Sequence, residues 1–102
     1  MEITVLHIAE CPNWADAVVN VEEATSTMGA DWTVTDRLIS TPEEAAHWSF
    51  AGSPTILLDG LDLFPNGGLV QDLACRIYYT PEGLRGAPTS KQIRERLAAS
   101  DR

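Results

Sequence analysis

Ile3-Thr4-Val5-Leu6-His7-Ile8-Ala9-Glu10-Cys11-Pro12-Asn13-Trp14 is the stretch on which the fold turns. Residues Ile3 to Ala9 alternate in part, with Ile3, Val5 and His7 on one side and Thr4, Leu6 and Ile8 on the other. Apolar groups fall on both sides, which suits a central strand covered on both faces. Pro12 has its φ preset for the first turn of a helix and needs no N–H there. Trp14, Val18, Val21 and Met28 follow at helical spacing, Ala15, Ala17 and Ala24 fill in, and Gly29 is read as the C′ residue. A strand feeding a helix in this way puts Cys11 at the helix N-terminus. Free N–H groups and the helix dipole favour an anion there, so a thiol at that place is held below its usual pKa of ~8.5 and is more often thiolate. The competing reading is a buried structural cysteine, a common fate of the residue.

Downstream, Asp31 to Ile39 carries the β-formers Trp32, Thr33, Val34 and Thr35 and reads as a second strand. Thr41, Pro42 and Glu44 form a capping box with proline at N1, opening a short helix that closes near Gly52. Ser53-Pro54 leads into the strand-length apolar run Thr55-Ile56-Leu57-Leu58. Asp59-Gly60 is a two-residue hairpin signal, with Leu61 to Phe64 as the return strand and Pro65-Asn66-Gly67-Gly68 as its stop. Residues 65–88 show no firm periodicity and read as an irregular insertion. Thr89 and Gln92 make a second capping box before a last helix, on which Ile93 and Leu97 share a face. The order is β-α-β-α-β-β-α. Its first βαβ unit must cross over right-handed between parallel strands, and the hairpin adds two antiparallel ones. The expected fold class is α/β, a mixed four-stranded sheet flanked by helices.

At 102 residues the chain supports one domain, 1–102, with no internal repeat or linker. Folding at this size buries roughly two-thirds of the chain's surface, enough for a core without staples. No apolar run approaches the ~20 residues of a membrane span. Met1-Glu2-Ile3-Thr4 lacks a basic segment followed by an apolar one, so the expected compartment is the cytosol. A net charge of −8 with seven Lys and Arg disfavours nucleic acid and anionic membrane as partners. The acidity serves solubility or faces a basic partner. Two cysteines in a reducing compartment are free thiols, a redox pair or soft-metal ligands rather than a disulfide framework.

Cys-Pro at the first helix and Gly52-Ser53-Pro54-Thr55 before the third strand, set in this element order, resemble the thioredoxin-like superfamily, of which glutaredoxins are the minimal form. The resemblance covers residues 2–64 and, more loosely, 89–99. Cys11-Pro12-Asn13-Trp14 stands where that family has Cys-x-x-Cys or Cys-x-x-Ser, and Ser53-Pro54-Thr55 looks like its cis-proline loop. The whole chain, through Leu73-Ala74-Cys75-Arg76-Ile77-Tyr78, also resembles small actinobacterial-type proteins labelled thioredoxin family or alkylmercury lyase. The resemblance implies that Cys11 is the nucleophile, that Pro54 is cis, and that Pro12, Trp14, Ser53, Pro54 and Thr55 line the substrate site. A protein disulfide or a low-molecular-weight thiol such as glutathione would be the partner, with no cofactor. Trp14 replaces the family's second cysteine, so exchange within one helical turn is impossible.

Strand direction in such a sheet brings the start of the third strand and the end of the fourth to the edge that carries Cys11. Ten residues beyond Phe64 can span ~30 Å when extended, so Cys75 can return to Cys11 as a resolving thiol. Equally, Cys75 can be a buried member of the patch Leu73-Ala74-Cys75-Arg76-Ile77. His7 reads as a hydrogen-bonded histidine near the core, with base or ligand as the alternative. His47 reads as surface. Trp14, Trp32 and Trp48 read as packing residues, two of which, Trp14 and Trp48, are candidates for an apolar wall around the thiol. One of Tyr78 and Tyr79 is a candidate groove residue, and Gly67-Gly68 resembles a glutathione-binding pair but reads more simply as a turn. No zinc-ligand spacing occurs. Three functions follow: a thiol–disulfide oxidoreductase, a non-catalytic binding module that keeps only the peptide groove, and a soft-metal or organomercurial site using both thiols, with Asp72 as the nearby acid.

Overall fold

β1 (Glu2–His7) lies at the centre of a four-stranded sheet in the computed structural model, which describes residues 1–28, 32–65 and 73–100. It pairs in parallel with β2 (Thr33–Leu38) and antiparallel with β3 (Thr55–Leu58), and β4 (Leu61–Asp62) adds to the outer edge of β3. The strand order is β2-β1-β3-β4. Among the described residues, three helices complete the mixed α/β fold: α1 (Trp14–Ser26), α2 (Pro42–His47) and α3 (Ser90–Ser100).

The two-sided alternation of β1 sets the layers. Ile3 and Val5, with Ile56 and Leu58 of β3, pack against Ala17, Val21 and Ala24 of α1 and Ile93 and Leu97 of α3. Leu6 and Ile8, with Leu57, face the opposite way and meet Ile39, Ala45 and Phe50. Cys11 belongs to this second cluster.

Both capping boxes form. Thr41 Oγ1 accepts from the Glu44 amide at 3.1 Å, and the Glu44 carboxylate accepts from Ser40 N–H at 3.0 Å. Thr89 and Gln92 bond reciprocally, at 3.1 and 2.9 Å. Asp59 and Gly60 have φ of 49° and 88°, the doubly positive pattern of a tight hairpin turn.

Several element bounds differ from the sequence reading: among them, β1 ends at His7, β2 spans Thr33–Leu38 and α1 is capped at Thr27. α1 starts at Trp14 with Asn13 at the N-cap, so Pro12 precedes the helix instead of opening it. The Pro12 carbonyl accepts from Ala15 N–H at 3.3 Å, a turn that delays the helix. α2 stops at His47, because Ser49 takes a φ of 59° that no helix continues. β4 is shorter than Leu61 to Phe64, because Asp62 Oδ1 accepts from its own chain two residues on, at Phe64 N–H (2.9 Å), and turns it. The region read as irregular contains a hairpin of β5 (Tyr78–Thr80) and β6 (Gly83–Arg85). Its loop, Thr80-Pro81-Glu82-Gly83, has proline and glycine where a common turn wants them. Gly29, Asp31, Gly67-Gly68 and Asp72 lie outside the described residues.

Candidate functional site

The loop after β1 turns at Cys11, whose N–H bonds the Ile8 carbonyl at 3.4 Å. Ile8 N–H in turn donates to Ser53 Oγ at 3.1 Å, joining this loop to the one before β3. The Ser53–Pro54 peptide bond is cis. Thr55 Oγ1 accepts from Ala51 N–H at 3.0 Å and donates to the Gly52 carbonyl, so the loop's polar groups are satisfied inside the protein. Ser53 and Thr55 are fully buried.

Cys11 and Cys75 are joined by a disulfide, with an S–S distance of 2.07 Å and Cα atoms 5.9 Å apart. Of the two readings of Cys75, the pairing one describes the structure. Cys11 is 0% exposed, the burial that its competing reading carried, whereas Cys75 is an exposed residue. The reason is geometric. Cys11 sits among Leu6, Ile8, Ile39 and Phe50, and the Cys75 segment covers its outer side. The Cys11 sulfur lies 3.8 Å from the Ser53 carbonyl oxygen. A bonded sulfur has no proton to give, so this is a contact that becomes a weak S–H···O bond only in the thiol. Asn13 Nδ2, 4.0 Å from the same sulfur, points a donor at it from the start of α1.

The Cys75 segment is held by the proline loop. Ser53 N–H donates to the Ala74 carbonyl and Arg76 N–H to the Ser53 carbonyl, both at 2.8 Å, a single parallel bridge between Ser53 and Cys75. The Tyr78 hydroxyl donates to the Pro54 carbonyl. Burial pushes the Tyr78 phenol well above its ordinary pKa, only partly offset by the Arg76 charge. Along the segment exposure alternates: Cys75, Ile77 and Tyr79 face out, Arg76 and Tyr78 face in.

Arg76 is the residue that sequence reasoning missed. It is 5% exposed. Its guanidinium meets the Asp62 carboxylate at 3.0 Å, donates to the Phe64 carbonyl and lies 4.6 Å from the centre of the Tyr78 ring. The sequence hides it: hydrophobic alternation from Cys75 to Tyr79 would turn Cys75 and Ile77 inward and Arg76 outward, the reverse of what the structure shows.

Among the remaining candidates, His7 is buried, its Nε2 2.9 Å from Asp36 Oδ1, and its ring stacks on half-buried Trp14 at 4.0 Å. Trp14 therefore covers His7 from the first turn of α1. Pro12 is exposed beside Cys11. Trp32 packs on the core cluster under α1, and Trp48 on the cluster that holds Cys11, with the Arg37 guanidinium 4.4 Å from its ring. His47 is exposed, edge-on to Trp48. Among the described residues, no group of three or more His, Cys, Asp and Glu side chains is placed to hold a metal ion, and no helix is long and apolar enough to cross a membrane.

The site thus joins a core cysteine to a surface one across a cis-proline loop; no family model, no curated protein and no solved structure matches the chain, and its chemistry has to follow from these residues alone.

Proposed function

We propose that the chain is a thioredoxin-like thiol–disulfide oxidoreductase of the cytosol that cycles between the Cys11–Cys75 disulfide and the dithiol. The observation that carries this reading is the buried Cys11 sulfur bonded to an exposed Cys75 beside the cis Ser53–Pro54 bond. In the oxidised chain an external thiolate reaches Cys75 and not Cys11. Its attack forms a mixed disulfide at Cys75, breaks the Cys11–Cys75 bond and releases Cys11 as thiolate. A second external thiolate then attacks the external sulfur of the mixed disulfide and frees Cys75. Two electrons have entered the chain, and two small thiols, glutathione for instance, leave as one disulfide. In the reduced chain Cys11 is the nucleophile toward a substrate disulfide. The Asn13 amide points a donor at its sulfur from 4.0 Å. Cys75 resolves the mixed disulfide in place of the cysteine that Trp14 replaces. Ser53, Pro54 and Thr55 form the backbone wall of the site.

The test is equilibration in glutathione buffers of defined potential, with the bonded fraction read by alkylation and mass. A midpoint within about −120 to −270 mV supports a cycling pair. A purely structural bond is the second reading, favoured by the clamp of Arg76 and Tyr78 on the same segment. It expects a midpoint below about −300 mV. Catalysis is read separately, as dithiothreitol-driven reduction of a protein disulfide. Cys11→Ser should abolish it, and full activity in that variant would end the proposal.

A further inference from the structure

Resting on that thiol–disulfide reading, we infer that the Ser53 edge is a binding site for an extended peptide bearing a cysteine followed by a basic residue. In the oxidised chain its own Ala74–Arg76 fills this site, and reduction vacates it.

Both polar backbone groups of Ser53 are used, and both go to this segment, at 2.8 Å each. Such bonds ask nothing of side chains. Any extended peptide lying parallel to Ser53 supplies the same carbonyl before its cysteine and the same N–H after it. The segment meets the sheet side of the protein through one isolated bridge, not a ladder. With the Cys11–Cys75 bond cut, that bridge loses its covalent clamp. The scaffold also carries a place for the residue after the cysteine. Gly52 has no side chain, and a Cβ there would come within 2.8 Å of Arg76 Cβ. The missing atom leaves room for that close passage. Beyond it, the Asp62 carboxylate and the Phe64 carbonyl receive the guanidinium, and both belong to β4 and the turn after it, not to the departing segment. A Lys or Arg after the cysteine satisfies them. A Glu or Asp there would set like charges together in a buried place.

The reaction balances within this arrangement. The Cys11 thiolate attacks the peptide's cysteine in its disulfide. A Cys11–peptide bond forms, the old bond breaks and the former partner leaves as thiolate. Cys75 thiolate then attacks Cys11, returns its own segment to Ser53 and expels the peptide as a thiolate. The hairpin of β5 and β6 keeps Cys75 nearby, which makes this return intramolecular and fast.

The test uses full-length Cys75→Ser protein and a synthetic peptide with the sequence of residues 73–79, its cysteine carried as the thionitrobenzoate mixed disulfide. Coupling to Cys11 is followed by release of coloured thionitrobenzoate. N-methylation of the residue after the cysteine, and its exchange for Glu, should each slow coupling by about fivefold or more, the worth of one hydrogen bond. Equal rates for the three peptides would overturn the site while leaving the reactive thiol intact. Failure of Cys11 to react even with free dithionitrobenzoate would instead sink the underlying redox reading. In the wild-type chain, reduction should raise hydrogen exchange at the Ser53 and Arg76 amides by about tenfold or more, as expected of a locally opened unit, while Ile56 within β3 stays protected. Unchanged protection at Ser53 and Arg76 would refute the gating.

Discussion

The two sulfurs of one bond live in different surroundings, and the contrast between their segments separates what the apolar core fixes from what a few polar bonds hold. Cys11 hangs from the central strand, inside an apolar cluster shared by Leu6, Ile39 and Phe50. Its place follows from the layer structure itself. Cys75 belongs to a surface segment with exposed neighbours, Ile77 at 63% and Tyr79 at 84%. Its place rests on the disulfide, two backbone bonds to Ser53, the Arg76 guanidinium on Asp62 and on the Phe64 carbonyl, and the Tyr78 phenol on the Pro54 carbonyl. Contacts of the first kind are apolar and numerous. Those of the second are polar and few, so each can be removed singly.

The largest expected effect comes from cutting the bond. Closing a loop of sequence separation 64 is worth about 4 kcal/mol in the chain-entropy account. Urea titration of Cys75→Ser against the oxidised chain should show a loss of that order. Cys11→Ser should lose still more, because its hydroxyl enters the apolar cluster. Equal losses would erase the distinction between the two sides. Next in size is Asp62→Ala, which leaves the buried Arg76 charge unpaired at a cost of about 3 kcal/mol. The double variant Asp62→Leu, Arg76→Met should recover most of it, and its failure to do so would mean that the ion pair is not the source of the loss.

Smaller, and more local, is Tyr78→Phe. It removes the bond to the Pro54 carbonyl and should cost about 1–2 kcal/mol while speeding reduction of the disulfide by dithiothreitol. The same residue gives a pH signature. Its phenol ionises later in the folded chain than in the unfolded one, so its contribution is complete below the unfolded value and is lost as pH rises above about 10. A pH titration of stability should fall there in the wild type and fall less in Tyr78→Phe; identical curves would contradict the buried phenol. Smallest is Thr41→Ala, about 1 kcal/mol from the lost cap of α2. It should leave the reduction rate of the disulfide unchanged, and a change in that rate would mean that the two regions are coupled.

The same contrast explains what is legible in the chain. The layers of the sheet are readable because apolar residues of β1 fall at period two on both faces and because Thr41 and Thr89 carry complete capping boxes. The Asp59-Gly60 turn is readable because both residues tolerate positive φ. The surface segment is not, since its position depends on long-range partners. Arg76 needs Asp62, and Tyr78 needs the Pro54 carbonyl, each a pairing that local periodicity does not encode. The choice between the two readings of Cys11 stays open in the sequence for the same reason: its bonded partner is 64 positions away.

Among the described residues no cysteine is left unpaired in the oxidised chain. Peroxide therefore meets no thiolate, and neither sulfur can start toward sulfenic and sulfinic acid until the bond is opened. Exposure of these two sulfurs to oxidant damage is confined to the reduced chain, and while the bond is closed the pair shields itself.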